Sequence, residues 1–228
     1  ATITNAITFG SNLVFTGTAN LNQNNGVINL GGASRTITVN GSTLTLNGSV
    51  TSAGMGITKA GAGALVLGGI VATTSGTVTV NAGNFTVGGI ISGASMGLTK
   101  NGSGTLILTG ASTYNGTTTI NTGTLLISSA GQLGGGNYSG NISNTGTFRY
   151  NSTASQTLGG IISGNGALVK NAASTLTLTG NNTFTGTTTI TAGTLQISSA
   201  GLLGGGNYSG NITNNSALLL GSNSNQTL

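Results

Sequence analysis

The chain has 228 residues, of which five are Lys or Arg and none is Asp, Glu, His or Cys, so its formal net charge is +5. Only 2% of its residues are charged, against roughly 25% in ordinary soluble domains. The side chains normally used for general acid–base catalysis, for glycoside hydrolysis by two carboxylates, and for zinc or calcium binding are therefore missing. A Ser–Lys pair or a Tyr acid, with Ser103 or Tyr114 near a lysine, stays formally open. The composition predicts that the protein is not an enzyme and needs no cofactor or metal.

The basic residues are scattered along the chain, without a basic run or interleaved aromatic residues. They are Arg35, Lys59, Lys100, Arg149 and Lys170. Nucleic-acid binding requires clustered positive charge, so we expect no nucleic-acid partner. No apolar run reaches the 18 or so residues of a membrane helix, and we expect no membrane insertion. The absence of Cys suits a secreted bacterial protein.

In chain order, residues 1–58 are predicted to form degenerate coils, which include RTITVNGSTLTL at 35–46. A 41-residue repeat follows at 59–99. A 70-residue repeat then occupies 100–169 and returns, incomplete, at 170–228. Repetition at fixed spacing is typical of a stacked array, so we predict one continuous solenoid over 1–228. Because the second copy stops in mid-repeat and neither end carries a capping pattern, we expect the chain to be part of a longer protein or to be completed by a neighbour.

Within each repeat, apolar and polar residues alternate with a period of two, as in TLILT at 105–109. This alternation predicts strands with one buried side and one solvated side. Gly and Asn mark the corners, for example at 81–83 and 121–123, and no helical spacing is present. Disorder is the first alternative for so polar a chain, but the regular Ile, Leu and Val content argues against it.

The longer repeat differs from the shorter one by an insert of about 29 residues, roughly 128–157. Corner strands are expected at Leu125, Phe148, Leu168, Leu195 and Leu218, which are 23, 20, 27 and 23 residues apart. These spacings indicate about three coils per 70-residue repeat. An antiparallel sandwich would place turns every 8–12 residues. We therefore predict an all-β parallel β-helix of about ten coils, with essentially no α-helix.

The segment from Gly97 through Ile127 resembles the strand repeat of bacterial autotransporter passenger domains. The matching residues are Lys100, Gly102, Gly104, Thr105, Leu106, Leu108, Gly110, Thr113, Tyr114, Gly116, Gly123, Thr124 and Leu125. Residues 168–197 match with Phe184 in place of the Tyr, and 56–87 match more loosely. The resemblance implies a right-handed parallel β-helix exported to the bacterial surface. Family members include adhesins and display stalks, some with enzymes grafted onto the helix.

Five residues are candidates for surface contact. They are Lys59, Lys100, Lys170, Tyr138 and Tyr208. The lysines are expected near one edge of the rod, as solvated charges that discourage sheet pairing or as a stripe for an anionic glycan. The two tyrosines lie in identical GGGNYSG loops and are expected either to stack on sugars or a neighbouring rod, or to cover the core.

The sequence thus predicts a non-enzymatic, extracellular structural solenoid, part of a bacterial surface stalk or a self-associating filament or adhesin. Its expected partner is itself, end to end or side by side, with glycans or a host surface as further candidates. The main alternative is a monomeric adhesive passenger. A minor alternative is an ice-binding solenoid, because Thr-x-Thr recurs at 36–38, 77–79, 117–119 and 187–189, although the insert coils are expected to break that series.

Overall fold

The computed structural model describes residues 2–52, 54–73 and 75–228, which form short strands joined by tight corners. Within these ranges there are two 3₁₀ turns, at Gly134–Gly136 and Gly204–Gly206, and no α-helix. No helix of the described residues is long and apolar enough to cross a membrane. In chain order the strands are β1 Thr2–Ile3, β2 Ile7–Thr8, β3 Leu13–Phe15, β4 Leu21–Gln23, β5 Ile28–Asn29, β6 Arg35–Val39, β7 Thr43–Leu46, β8 Val50–Ser52, β9 Ile57–Ala60, β10 Ala64–Leu67, β11 Val71–Thr73, β12 Thr77–Val80, β13 Phe85–Val87, β14 Ile91–Ser92, β15 Gly97–Lys100, β16 Thr105–Leu108, β17 Thr118–Ile120, β18 Thr124–Ser129, β19 Asn137–Tyr138, β20 Ile142–Asn144, β21 Thr147–Ser152, β22 Gln156–Leu158, β23 Ile162–Ser163, β24 Ala167–Lys170, β25 Thr175–Leu178, β26 Thr188–Ile190, β27 Thr194–Ser199, β28 Ile212–Asn214 and β29 Ala217–Ser222.

The strands build three sides of a prism, and each strand pairs in parallel with its equivalent in the next coil. The long sheet has eleven strands in the order β1-β4-β7-β10-β13-β16-β18-β21-β24-β26-β28. The eight-stranded sheet runs β3-β6-β9-β12-β15-β17-β20-β23. Two five-stranded sheets, β2-β5-β8-β11-β14 and β19-β22-β25-β27-β29, occupy the third side. Backbone bonds from Thr113 to Ile91 and from Ser112 to Gln132 connect these two sheets. The predicted parallel β-solenoid of about ten coils is confirmed.

The coils vary little in length. Paired residues are separated by as few as 19 positions, as for Leu106 and Leu125, and by as many as 24, as for Thr188 and Ile212. Strands spaced about 4.8 Å apart make ten coils a rod of about 48 Å. The right-handed winding stays a prediction, in line with the general hand of parallel crossover connections.

The 70-residue repeat spans three and one third coils, close to the predicted three but not a whole number. Lys100 ends β15 in the eight-stranded sheet, whereas its equivalent Lys170 ends β24 in the long sheet. Leu168 pairs with Thr188 and not with Leu195, which pairs with Leu176. The sequence repeat preserves the local order of strand and corner, but hydrogen bonding to the previous coil decides which side a strand occupies. Successive 70-residue units are therefore rotated by one side of the prism.

The 41-residue repeat behaves differently and returns to the same side. Lys59 lies in β9 and Lys100 in β15, and both strands pair with β12 of the eight-stranded sheet. Residues 60–100 therefore contain two complete coils. An insertion or deletion of this length preserves the phase of the solenoid.

The core is a continuous stack of inward side chains. In β16, Leu106 and Leu108 are buried, while Thr105 and Ile107, which alternate with them, are partly exposed, as the alternation predicts. Leu106 stacks between Phe85 and Leu125 of the adjacent coils. Close stacking also constrains the corners: Gly123 has φ +70°, and a Cβ at this position would collide with the carbonyl oxygen of Gly104.

We expect a variant lacking residues 60–100 to fold into a rod shorter by about 10 Å, because two coils of about 4.8 Å each are removed without a change of phase. Small-angle X-ray scattering would give the length and circular dichroism the strand content. Deletion of 60–70 serves as the control, since it joins β9 to β11 and omits one side of a coil. The result would contradict the register if the shorter, out-of-phase deletion were the better tolerated of the two.

Candidate functional site

Lys59, Lys100 and Lys170 are buried, each with 0% of its surface exposed. The prediction that they lie at the surface, as solvated charges or as a stripe for an anionic glycan, was wrong. In β15, Leu98 and Lys100 have the same parity and both point inward, while Thr99 between them is partly exposed. Lys100 occupies the position that Val80 and Ile120 fill in the adjacent coils. The alternation that identified the strand therefore also contained the signal that the lysine is buried.

Each buried ammonium group binds backbone carbonyl oxygens at a corner. Lys59 Nζ donates to the carbonyl oxygens of Ala60 and Gly61, each at 2.7 Å, and of Ala82 at 3.1 Å. Ala82 belongs to the next coil, so Lys59 joins two successive corners. Three acceptors match the three donors of an ammonium group.

The other two lysines repeat this arrangement. Lys100 donates to Gly102 in its own corner and to Thr122, 3.5 Å away, in the next. Lys170 donates to Ala172 and, at 3.3 Å, to Ala192, and its Nζ lies 5.9 Å from the centre of the Tyr150 ring. We call these three sites the lysine corners. Burial lowers the pKa of Lys59 to about 8 and also lowers the pKa of Lys100 and Lys170, because loss of water penalises the charged form.

Tyr138 and Tyr208 are buried as well, with 0% and 4% of their surface exposed. They cover the core, which was one of the two expectations for these loop residues. The other expectation, that they make surface contacts, was wrong. The Tyr138 ring packs edge-on against Tyr114, with ring centres 5.5 Å apart. The hydroxyl groups of Tyr114 and Tyr138 are both hydrogen-bonded to Thr118 Oγ1, at 2.9 Å and 2.8 Å respectively.

The second copy keeps half of this network. Tyr208 meets Thr188 Oγ1 at 2.7 Å, and its ring packs edge-on against Phe184 at 5.4 Å. Phe184 has no hydroxyl, so Thr188 loses one partner relative to Thr118. Burial raises the pKa of Tyr138 to about 12 and that of Tyr114 well above its usual value. These buried hydroxyls stabilise the packing and do not face solvent.

The outer surface of the eight-stranded sheet carries a column of hydroxyl groups. We call it the hydroxyl column; register places in it Thr36, Thr58, Thr79, Thr99, Thr119, Ser143 and Ser163. The insert coil contributes Ser143, so the expected break in this column does not occur. The neighbouring column is interrupted, because Thr77 pairs with Gly97.

The corresponding column on the long sheet is different. We call it the long-sheet column; its members in coil order are Thr2, Asn22, Thr45, Val66, Thr86, Ile107, Leu126, Arg149, Val169, Thr189 and Thr213. Its centre is mainly aliphatic, with Val66, Ile107, Leu126 and Val169 partly exposed. β-propensity favours Thr and aliphatic residues alike, so propensity alone does not explain why the two sheets differ.

The surface has very little charge. Because the three lysines are buried, the positive side chains left outside are Arg149, which is exposed, and Arg35, which is partly exposed. Arg35 Nε donates to the Leu30 carbonyl oxygen at 2.7 Å. The net charge of +5 therefore overstates the charge that a partner meets.

Three segments of the chain match the family described as passenger-associated-transport-repeat: residues 57–87, 98–127 and 168–197. The resemblance to autotransporter passenger domains is thereby confirmed. In each repeat the third residue is the lysine of a lysine corner, and the third repeat begins one side of the prism later than the other two.

Among characterised proteins, the chain is similar to the adhesin BmaC autotransporter of Brucella suis biovar 1 (strain 1330). The two are 37% identical over 132 residues, which cover 49% of this chain and 4% of that protein. The match therefore extends over a small fraction of a much longer relative. No solved structure matches the chain.

Replacement of Lys100 by Met should destabilise the chain by about 1–3 kcal/mol, because the side-chain volume is kept while the carbonyls of Gly102 and Thr122 lose their donor. Urea unfolding followed by circular dichroism measures the effect. Arg149→Met is the control and should change stability by at most about 0.5 kcal/mol, since Arg149 is exposed. Equal effects of the two substitutions would mean that Lys100 is no more than a solvated charge.

Stability should not change between pH 4 and 7, because the chain has no Asp, Glu or His to titrate. The lowered lysine pKa values mean that the folded state releases protons before the unfolded state does. Stability should therefore rise from about pH 8 towards pH 10. The raised tyrosine pKa values have the opposite sign, so stability should fall as pH increases above about 10.

Thermal melts from pH 4 to pH 11 test this profile. The rise above pH 8 should be smaller in Lys59→Met, because Met does not titrate. An unfolding transition between pH 7 and pH 4 would contradict the expected acid tolerance.

Proposed function

We propose that the chain is a non-enzymatic structural segment of a bacterial surface protein, where it serves as a stiff stalk that holds other parts of the molecule away from the cell. The unbroken eleven-stranded sheet is the observation that carries this proposal. Every coil hydrogen-bonds to the next, and the core continues through all of them. The passenger-associated-transport repeats and the adhesin relative support an extracellular position.

The lysine corners support the stalk role mechanically. Each one connects consecutive corners through a side chain as well as through the backbone, as Lys59 does between Gly61 and Ala82. Such links resist separation of coils under tension along the rod. The three lysines, expected from the sequence to be solvated charges or a glycan-binding stripe, would in this role hold the stack together.

The surface also suits association between rods. Acidic residues are absent, and Arg149 is the exposed cation among the described side chains, so like charges hardly oppose contact. Side-by-side or end-to-end association is therefore part of the proposal.

The main alternative is a monomeric adhesive passenger that binds glycans or a host surface; the Brucella relative is named an adhesin. Exposed Thr, Ser and Asn side chains offer hydrogen-bonding groups for such a surface. Among them is a ladder of side-chain hydrogen bonds in which Asn121 donates to Asn101 at 2.7 Å and Asn101 donates to Asn81 at 2.9 Å. An ice-binding role is less well supported, because the column beside the hydroxyl column is interrupted at Gly97.

Electron micrographs of the purified chain should show uniform rods of about 48 Å, given about 4.8 Å per coil, that align side by side as concentration rises. Binding to host cells and to immobilised anionic glycans is measured in parallel, with Arg149→Gln as the matched variant. Dispersed rods that bind one of these surfaces saturably would overturn the stalk proposal in favour of the adhesive passenger. Loss of that binding in Arg149→Gln would identify an anionic ligand.

A further inference from the structure

The long-sheet column reads nearly the same in both directions. From the step between β16 and β18, the outward residues are Ile107, Thr86, Val66, Thr45 and Asn22 on one side and Leu126, Arg149, Val169, Thr189 and Thr213 on the other; Thr2 follows Asn22 and has no counterpart. The successive pairs are thus Ile with Leu, Thr with Arg, Val with Val, Thr with Thr, and Asn with Thr. A surface of this kind is complementary to a second copy of itself turned end over end.

The aliphatic character of this column follows the side of the prism and not the repeat. Positions 70 residues apart are copies of one unit placed on different sides. Ile107 and Leu126 lie on the long sheet, and their equivalents on the C-terminal five-stranded sheet are Thr177 and Gln196. Thr99 on the eight-stranded sheet has Val169 on the long sheet as its equivalent.

One further pair of residues 70 positions apart differs in the opposite sense, with the polar residue on the long sheet. Arg149 lies on the long sheet, and its equivalent Leu219 lies on the five-stranded sheet in the last coil. Arg149 is the charged residue of the long-sheet column, so its surroundings depend on how the two copies are oriented. In an end-over-end arrangement it faces Thr86 of the other copy, whereas a parallel arrangement would bring two Arg149 side chains together.

The available area is sufficient for a stable pair. Ten overlapping strands spaced about 4.8 Å apart, each about 13 Å wide for four residues, present about 620 Å² per copy. The total of about 1,250 Å² is at the lower end of specific interfaces. The symmetry is closed and isologous, so one pair satisfies both copies.

We propose that two copies of this chain pack long sheet against long sheet, antiparallel, about a two-fold axis between β16 and β18. Val66 then faces the second copy's Val169, and Ile107 faces its Leu126. The proposal rests on the stalk function: stalks that project from two facing surfaces run in opposite directions, as an antiparallel pair requires, and the proposal names the side through which they associate.

Cysteine pairing tests the geometry, and the chain contains no native Cys to interfere. Val66 and Val169 are five coils apart, so the two copies of either residue would be separated by about 24 Å along the axis of the antiparallel pair. An equimolar mixture of Val66→Cys and Val169→Cys should therefore form disulfide-linked dimers on mild oxidation, while each variant alone should not. Self-crosslinking of each variant alone, with none between them, would indicate a parallel pair and overturn the proposal.

Sedimentation velocity tests the surface. The double variant Ile107→Thr with Leu126→Gln introduces the residues that the second copy of the repeat carries at these positions, so folding should be preserved. It should weaken dimerisation at least tenfold. The matched control, Thr99→Gln with Thr119→Gln, changes outward positions of the hydroxyl column and should leave the dimer unchanged.

A wild-type chain that stays monomeric at high concentration would overturn the proposal, as would a dimer that only the control variant weakens. Circular dichroism confirms folding of each variant. Scattering of the monomer reports the rod length independently, so failure of this interface is distinguishable from failure of the stalk function.

Discussion

In-register hydrogen bonding between parallel strands of consecutive coils is the constraint on which the rest of the structure depends. Once Leu106 is aligned with Leu125, every neighbouring inward and outward position is aligned as well, because side chains alternate strictly along a strand. Columns of like residues then follow on all three sides. The same constraint aligns the lysines of the three lysine corners with inward Val, Ile or Tyr residues of adjacent coils, and so buries them.

Burial of polar groups in this fold is compensated mainly by the backbone. The chain has no carboxylate to pair with a buried ammonium, and an unpaired buried charge is costly. Backbone carbonyl oxygens at the corners supply acceptors instead. Lys59 satisfies three of them, and the Tyr138 hydroxyl reaches both Thr118 and the carbonyl of Gly116. Cation and corner thus satisfy each other's hydrogen-bonding groups, while the lowered lysine pKa values show that burial still penalises the charged form.

The composition of the surface follows from which side chains are buried. With the three lysines inside, the exterior is almost free of charge, and its chemistry is decided by the outward columns. The hydroxyl column and the long-sheet column have the same strand geometry and differ in their side chains. Such a rod has sides of different character, which favours association through one side over non-specific aggregation on all of them.

Periodicity and corner residues were sufficient to predict the parallel solenoid, its number of coils and the alternation in strands such as Thr105–Leu108. The burial of Lys100 was predictable too, because it shares parity with the inward Leu98, although a charged side chain by itself favours a solvated position. The sequence by itself determined the strands, the corners and the repeat family, since these depend on local spacing. Only the tertiary structure decided which side each strand occupies, because that depends on register with the preceding coil. For the same reason, the rotation of Lys170 onto the long sheet and the composition of the outward columns could not be read from the chain alone.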